Sequence, residues 1–189
     1  CLGDVVGYGP DPNECIALLR QQPGLRCIMG NHDAAVLGFI DLRAFNEQAA
    51  KAVKIQSELL TQESHDFLEL LDIMIEEGQI TFAHGSPSDP IWEYIITSRS
   101  AVENFSAFQT QICLVGHSHV PLIFGENPHV RPTMLTPQNA DRWRSKQRFI
   151  LNPGSVGQPR DRNPKAAYVI WDDEEDTWLF KRVAYDVES

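Results

Sequence analysis

Helical spacing of apolar residues dominates the first half of the chain, and short apolar runs, alternating or continuous, dominate the second. Asp11-Pro12-Asn13-Glu14 opens a helix: Asp11 can cap it, Pro12 suits the first turn and Glu14 can reach back to the cap. The pattern predicts that this helix runs to about residue 21, buries Cys15, Ile16, Leu18 and Leu19, and ends before Pro23-Gly24. A strand is predicted over 25–29. Phe45, Ala49, Ala52, Val53, Ile55 and Leu59 predict a longer amphipathic helix over 43–60, followed by a short one over 63–71. Residues 73–75 and 80–83 read as a hairpin about Glu77-Gly78. The apolar and aromatic stretch 91–96 reads as core rather than as a lid. A helix over 100–108 precedes strands over 112–115 and 120–124, and 126–147, with three prolines and little periodicity, reads as an irregular excursion or flap. A strand over 148–151 and a terminal hairpin of 166–171 with 178–183 complete an α/β pattern of two sheets face to face with helices outside.

Composition narrows this picture. The 189 residues fit a single domain over 1–189, and 42% apolar content is enough for an ordinary core. No apolar run approaches the roughly 20 residues of a membrane helix, and the start carries no charged-then-apolar signal pattern, so a cytoplasmic protein is expected. Cys1, Cys15, Cys27 and Cys113 have no paired spacing and read as thiols in a reducing compartment, three of them in core runs. A net charge of -10 repels polyphosphate backbones and argues against bulk nucleic-acid binding, while a small anionic substrate and a homo-oligomer both remain compatible. The densest acidic run, 172–176, reads as a solvated turn.

Candidate chemistry gathers where apolar runs stop at glycines. Leu2-Gly3-Asp4 ends in a carboxylate, Met29-Gly30-Asn31-His32-Asp33 in an amide, an imidazole and a carboxylate, Ala83-His84-Gly85 in an imidazole, and Val115-Gly116-His117-Ser118-His119 in two. Such a mixed nitrogen and oxygen set, without thiolates, suits a catalytic divalent cation of the Mn, Fe or Zn type better than a structural zinc. In an extended backbone His117 and His119 share a side and can serve neighbouring ions, and Asp4 has the two oxygens needed to bridge ions roughly 3.5–4 Å apart. A water between them can lose its proton near neutral pH and attack phosphorus. His32 follows Asn31 directly and is better placed to face substrate, where it can stabilise charge or protonate a leaving oxygen. Asp33 can hold the His32 ring or cap a helix starting at Ala34. Arg160, Arg162 and Lys165 can hold a phosphate or be plain surface charges.

As an ordered set, Gly3-Asp4, Gly30-Asn31-His32-Asp33, His84-Gly85 and Gly116-His117-Ser118-His119 resemble the calcineurin-like metallophosphoesterase family, in its small single-domain prokaryotic branch. Gly7-Tyr8-Gly9-Pro10 and Asn152-Pro153-Gly154-Ser155-Val156-Gly157 add to the likeness. The resemblance implies a four-layer αββα sandwich, two mixed β-sheets flanked by helices, with a dinuclear centre at the strand ends. It implies that Asp4 bridges two divalent ions (Mn, Fe, Zn, Ni or Co, with Mn favoured for activity), that Asn31, His84 and His117 hold one ion and that His119 holds the other. His32 then faces substrate, with Asp33 supporting it. The family's Asp-x-His on a first strand has no counterpart before Asp4, so a first strand and helix are expected to be missing, leaving the second ion weakly held. The expected activity is metal-dependent hydrolysis of a phosphodiester or phosphomonoester by a metal-bound hydroxide. The alternatives are a catalytically impaired protein-interaction scaffold of the same fold, as the retromer component of this fold is, and a single-metal sensor.

Overall fold

The computed structural model describes residues 1–127 and 132–186. Four helices come early: α1 (Pro12–Arg20), α2 (Asn31–Val36), α3 (Glu47–Leu59) and α4 (Gln62–Glu69). Caps set their starts. Asn46 accepts from the Ala49 amide and Thr61 from the Ser64 amide, each satisfying a donor that the first turn leaves free. The inward faces of these helices meet in one apolar cluster of Val6, Ile16, Ala35, Val36, Val53 and Leu68.

Strands β1 (Met74–Glu77) and β2 (Ile80–Ala83) form the expected hairpin, α5 (Ser98–Phe105) follows, and then come β3 (Ile112–Val115), β4 (Leu122–Gly125), β5 (Thr133–Leu135), β6 (Arg142–Trp143), β7 (Phe149–Asn152), β8 (Ala166–Asp172) and β9 (Thr177–Val183). One mixed sheet has the order β1-β2-β3-β7-β4-β5, and β6-β9-β8 forms a second, antiparallel one. The period of two sorts the larger sheet's side chains cleanly. Cys113, Val115, Leu122, Phe124 and Ile150 face α5 residues Ala101 and Phe105, whereas Ile112, Ile123, Phe149 and Leu151 face Trp178 and Phe180 of the second sheet. Two sheets therefore pack face to face, with α5 over the outer face of the larger one.

Several elements differ from the pattern reading. Among the described residues, 25–29 form one isolated bridge, Ile28 with Asp72, and no strand: the Ile28 amide donates to the Cys1 carbonyl at 3.2 Å and the Met29 amide to the Asp72 carbonyl at 2.8 Å, both outside the sheets. Cys15 and Leu18 are exposed, since the buried residues of α1 are Pro12 and Ile16, one narrow face of the helix. The helix predicted over 43–60 is split: a 3-10 turn, Leu42–Ala44, capped by Asp41, precedes α3, and Ile55 and Leu59 point to solvent. The excursion holds β5 and β6, which pair with β4 and β9, and its residues 128–131 lie outside the described part. All four cysteines are free thiols, Cys27 and Cys113 buried and Cys1 and Cys15 exposed. Of the exposed run 172–176, Asp172 ends β8 and 173–176 make the turn to β9. Among the described residues no helix is long and apolar enough to cross a membrane.

Candidate metal centre

Neighbouring parallel strands deliver two of the histidines. Ala83 pairs with Val115 at the ends of β2 and β3, so His84 and His117 leave the same sheet edge side by side. The next parallel strand, β7, ends in Asn152, whose amide donates to the Ser118 hydroxyl at 3.0 Å and to the Gly116 carbonyl, clamping the loop that carries His117 and His119. Gly30 caps α2, which begins at Asn31 itself. A Cβ on Gly30 would sit 2.2 Å from Asp4 Oδ1 and 2.3 Å from the Asp4 amide, so only glycine lets Asp4 lie against this helix start.

Donor atoms converge at His84. Its Nδ1 lies 2.7 Å from the Leu2 carbonyl and donates to it, which leaves Nε2 as a lone pair. That nitrogen faces Asn31 Oδ1 at 3.1 Å, His117 Nδ1 at 3.1 Å and Asp4 Oδ2 at 3.3 Å. Asp4, His84 and His117 offer ligand atoms all within 4.8 Å of one another. Four acceptors turned toward one another repel unless a proton or a cation sits among them, and this donor set fits a divalent cation. His119 lines the same cleft, and its Nδ1 donates to the Gln158 carbonyl at 2.7 Å, freeing Nε2 as a further ligand atom.

Burial and neighbours tune these groups. Burial alone would raise the Asp4 carboxyl, but the charge and hydrogen bond of His84, aided by His32, bring it down to about 2. Burial would lower His84, yet the adjacent Asp4 carboxylate raises it. His117 is pushed down to about 4 by burial and by His84, and burial with Arg160 nearby lowers His119, so both stay neutral and ligand-competent near neutral pH. Burial also lowers His32, although Asp4 opposes that shift.

The cleft holds about 380 Å³ and is lined by Asp4, Asn31, His117, His119, Gln158, Arg160 and His32 beside aromatic rings. His32 lies between Tyr8, with ring centres 4.4 Å apart, and Phe45, at 5.0 Å. Its backbone amide donates to Asp4 Oδ1 at 3.0 Å. Asp33 is buried and does not line the cleft: its carboxylate accepts from the Gly30 amide at 2.8 Å and the Val6 amide at 3.1 Å. It caps the helix and ties down the loop after Asp4, and no hydrogen bond joins it to the His32 ring among the described residues. Arg160 lines the cleft with its guanidinium held by Gln158 Oε1 at 2.9 Å, while exposed Arg162 and Lys165 stand outside the lining.

Pattern reading passed over Gln56, Asn152 and Gln158 as contributors to this site. Gln56 is a buried amide on the Ala49-Val53 face of α3; it accepts from the Gly7 amide and donates to the Tyr8 carbonyl at 2.9 Å, shaping the loop beneath His32. A polar residue at a core position of an amphipathic helix was the available signal. Gln158 carried none, because its contact with His119 is made by a backbone carbonyl. The stretch 91–96 is divided between core and cleft: Ile95 is core, but Trp92 lines the cleft and Tyr94 is 43% exposed over His117.

A model of the calcineurin-like phosphoesterase superfamily domain matches residues 1–176. An uncharacterized protein of Methanocaldococcus jannaschii is 37% identical over 197 aligned residues, spanning 100% of this chain and 76% of that protein. A crystal structure of a metallophosphoesterase from Sphaerobacter thermophilus superposes with a TM-score of 0.86 at 42% identity, covering 98% of this chain and 76% of that one. A hypothetical protein of Pyrococcus horikoshii, 20% identical with a TM-score of 0.74 over 98% of this chain and 74% of its own, shares the fold.

Proposed function

This chain belongs to the calcineurin-like phosphoesterase superfamily, and from that premise we propose that it hydrolyses a phosphomonoester or phosphodiester at a dinuclear metal centre. The observation that carries the reading is the convergence of Asp4, Asn31, His84 and His117 on one point, His84 Nε2 lying within 3.3 Å of a ligand atom of each of the other three. Asp4, with two oxygens, would be shared between the ions; Asn31, His84 and His117 would hold one, and His119 would contribute to the second. Manganese is the ion we expect to support activity. Divalent cations bound here supply a lowered water pKa and neutralisation of phosphate charge.

The chain's own side chains do the remainder. Asp4 stays ionised and binds cations without competing for protons. Arg160 takes a phosphate oxygen, held in place by Gln158. His32, buried on the cleft lining between Tyr8 and Phe45, stabilises charge on the transferred group or protonates the leaving oxygen. Asp33 keeps the His32 helix start and the Val6 loop in register, acting as a positioning residue.

The test is metal analysis of the full-length protein together with manganese-supported hydrolysis of aryl mono- and diesters. Asp4→Asn should lose bound metal and abolish turnover; a variant that keeps both would remove the bridging role.

A further inference from the structure

Above the ligand cluster, four aromatic rings form one side of the cleft. Tyr94 stacks on His117 with ring centres 3.9 Å apart and planes 25° from parallel. Trp92 meets His117 edge-on at 6.3 Å and Phe45 at 5.2 Å, and Phe45 and Tyr8 flank His32. Ordinary core packing does not describe this wall, because Tyr94 is 43% exposed and all four rings line the cleft.

The wall is also rigid. The loop carrying Trp92 and Tyr94 is closed by the Gly85 amide on the Pro90 carbonyl at 2.7 Å and by the Trp92 amide on Asp89 Oδ1 at 3.1 Å. The Glu93 carboxylate accepts from the Ser86 hydroxyl and, at 2.9 Å, from the Asn104 amide. A flat partner would find these faces already in place and lose little freedom in ordering them. The same cleft is lined by Arg160, the one Lys or Arg on the lining among the described residues, which matches a single phosphate group and not a polyphosphate.

We infer that the substrate of this site is a single phosphate ester bearing a planar aromatic group, as a nucleoside or an aryl alcohol provides, with that group on the Tyr8–Phe45–Trp92–Tyr94 wall. The inference rests on the phosphoesterase reading above. Stacking on rings is indifferent to hydrogen-bond pattern, so it selects aromatic over aliphatic esters without naming the base.

Calorimetric titration of the manganese-loaded full-length protein with phenylphosphonate and methylphosphonate isolates the wall, since both carry the same head group and neither is hydrolysed. Phenylphosphonate should bind about tenfold more tightly, in line with one base-sized stacking contact. Trp92→Ala and Tyr94→Ala should bring that ratio towards one. The ratio is taken within each variant and does not depend on the folded fraction, and exposed Tyr94 tolerates truncation. Equal affinities in the wild type, or a ratio unchanged in both variants, overturns the aromatic inference alone. Failure to bind either phosphonate, with no hydrolysis of any aryl ester, overturns the phosphoesterase reading and this inference with it. If the inference holds, an adenosine monophosphate against ribose phosphate comparison then separates nucleoside from simple aryl substrates.

Discussion

Asp4, His117 and His119 share an uncommon backbone state, with φ of 53°, 58° and 59°. Non-glycine residues hold such angles at a cost of about 1–3 kcal/mol each, and they persist where the surroundings enforce them. Here the enforcement is visible: Gly30 admits Asp4, Asn152 clamps the His117 loop and the Gln158 carbonyl ties His119. His32 depends on a different glycine. Gly7 has φ +109°, and a Cβ there would lie 2.3 Å from His32 Nδ1 and 2.4 Å from its Cβ. Gly7→Ala should therefore displace the His32 ring while the ligand cluster stays intact. Turnover should fall by about a hundredfold, as general-acid losses do, with metal content unchanged. His32→Ala should match it, and the double variant should be no slower than either single one. Metal loss in Gly7→Ala, measured by mass spectrometry, would show that the effect runs through the ligands instead.

Among the elements, β7 carries both stability and site. It lies between β3 and β4 in the larger sheet, and its fully buried Ile150 packs with Phe108, Phe124 and Cys113. Ile150→Ala should cost about 2–5 kcal/mol in urea unfolding, from lost burial and an unfilled cavity. Ile170→Ala on β8, 46% exposed, should cost well under half as much. A reversed order would mean that the sheets do not pack as described. The same strand explains how far pattern reading reaches. The runs over 112–115, 148–151 and 178–183 are continuous or alternating apolar stretches, and those strands lie where the pattern places them. β5 and β6 have two or three residues each and exist only because β4 and β9 offer free edges, which no local spacing reports.

For the molecule as a whole, metal and proton compete at His84. The Asp4 carboxylate raises this imidazole above its ordinary 6.5, so without metal its protonated form adds stability at low pH, and that contribution is lost as pH rises through the folded value. A cation bound by Nε2 must displace the proton. The rise in melting temperature on adding manganese over EDTA should therefore be small at pH 5 and grow steadily toward pH 8. A metal effect that is flat or shrinking with pH would remove His84 from the ligand set. The net charge of -10 lies on exposed faces such as the 173–176 turn, and among the described residues the cleft lining holds one carboxylate, Asp4, against Arg160, so a phosphate ester meets a local field unlike the global one.

By itself the sequence determined which side chains could act, since the identities of Asp4, Asn31, His32, His84, His117 and His119 are local facts, and it placed His84, His117 and His119 after strands; Asp4 instead lies in a loop and Asn31 opens a helix. It also placed the apolar runs of β3, β4 and β7, while which of their side chains face α5 and which the second sheet was decided by packing. Only the tertiary structure decided that Asp33 turns to backbone amides and not to His32, that Gln56, Asn152 and Gln158 brace the site, and that Trp92 and Tyr94 face the cleft. The reason is physical: each of those outcomes depends on contacts between residues far apart in the chain, several made by backbone atoms, and such contacts leave no period or spacing to read.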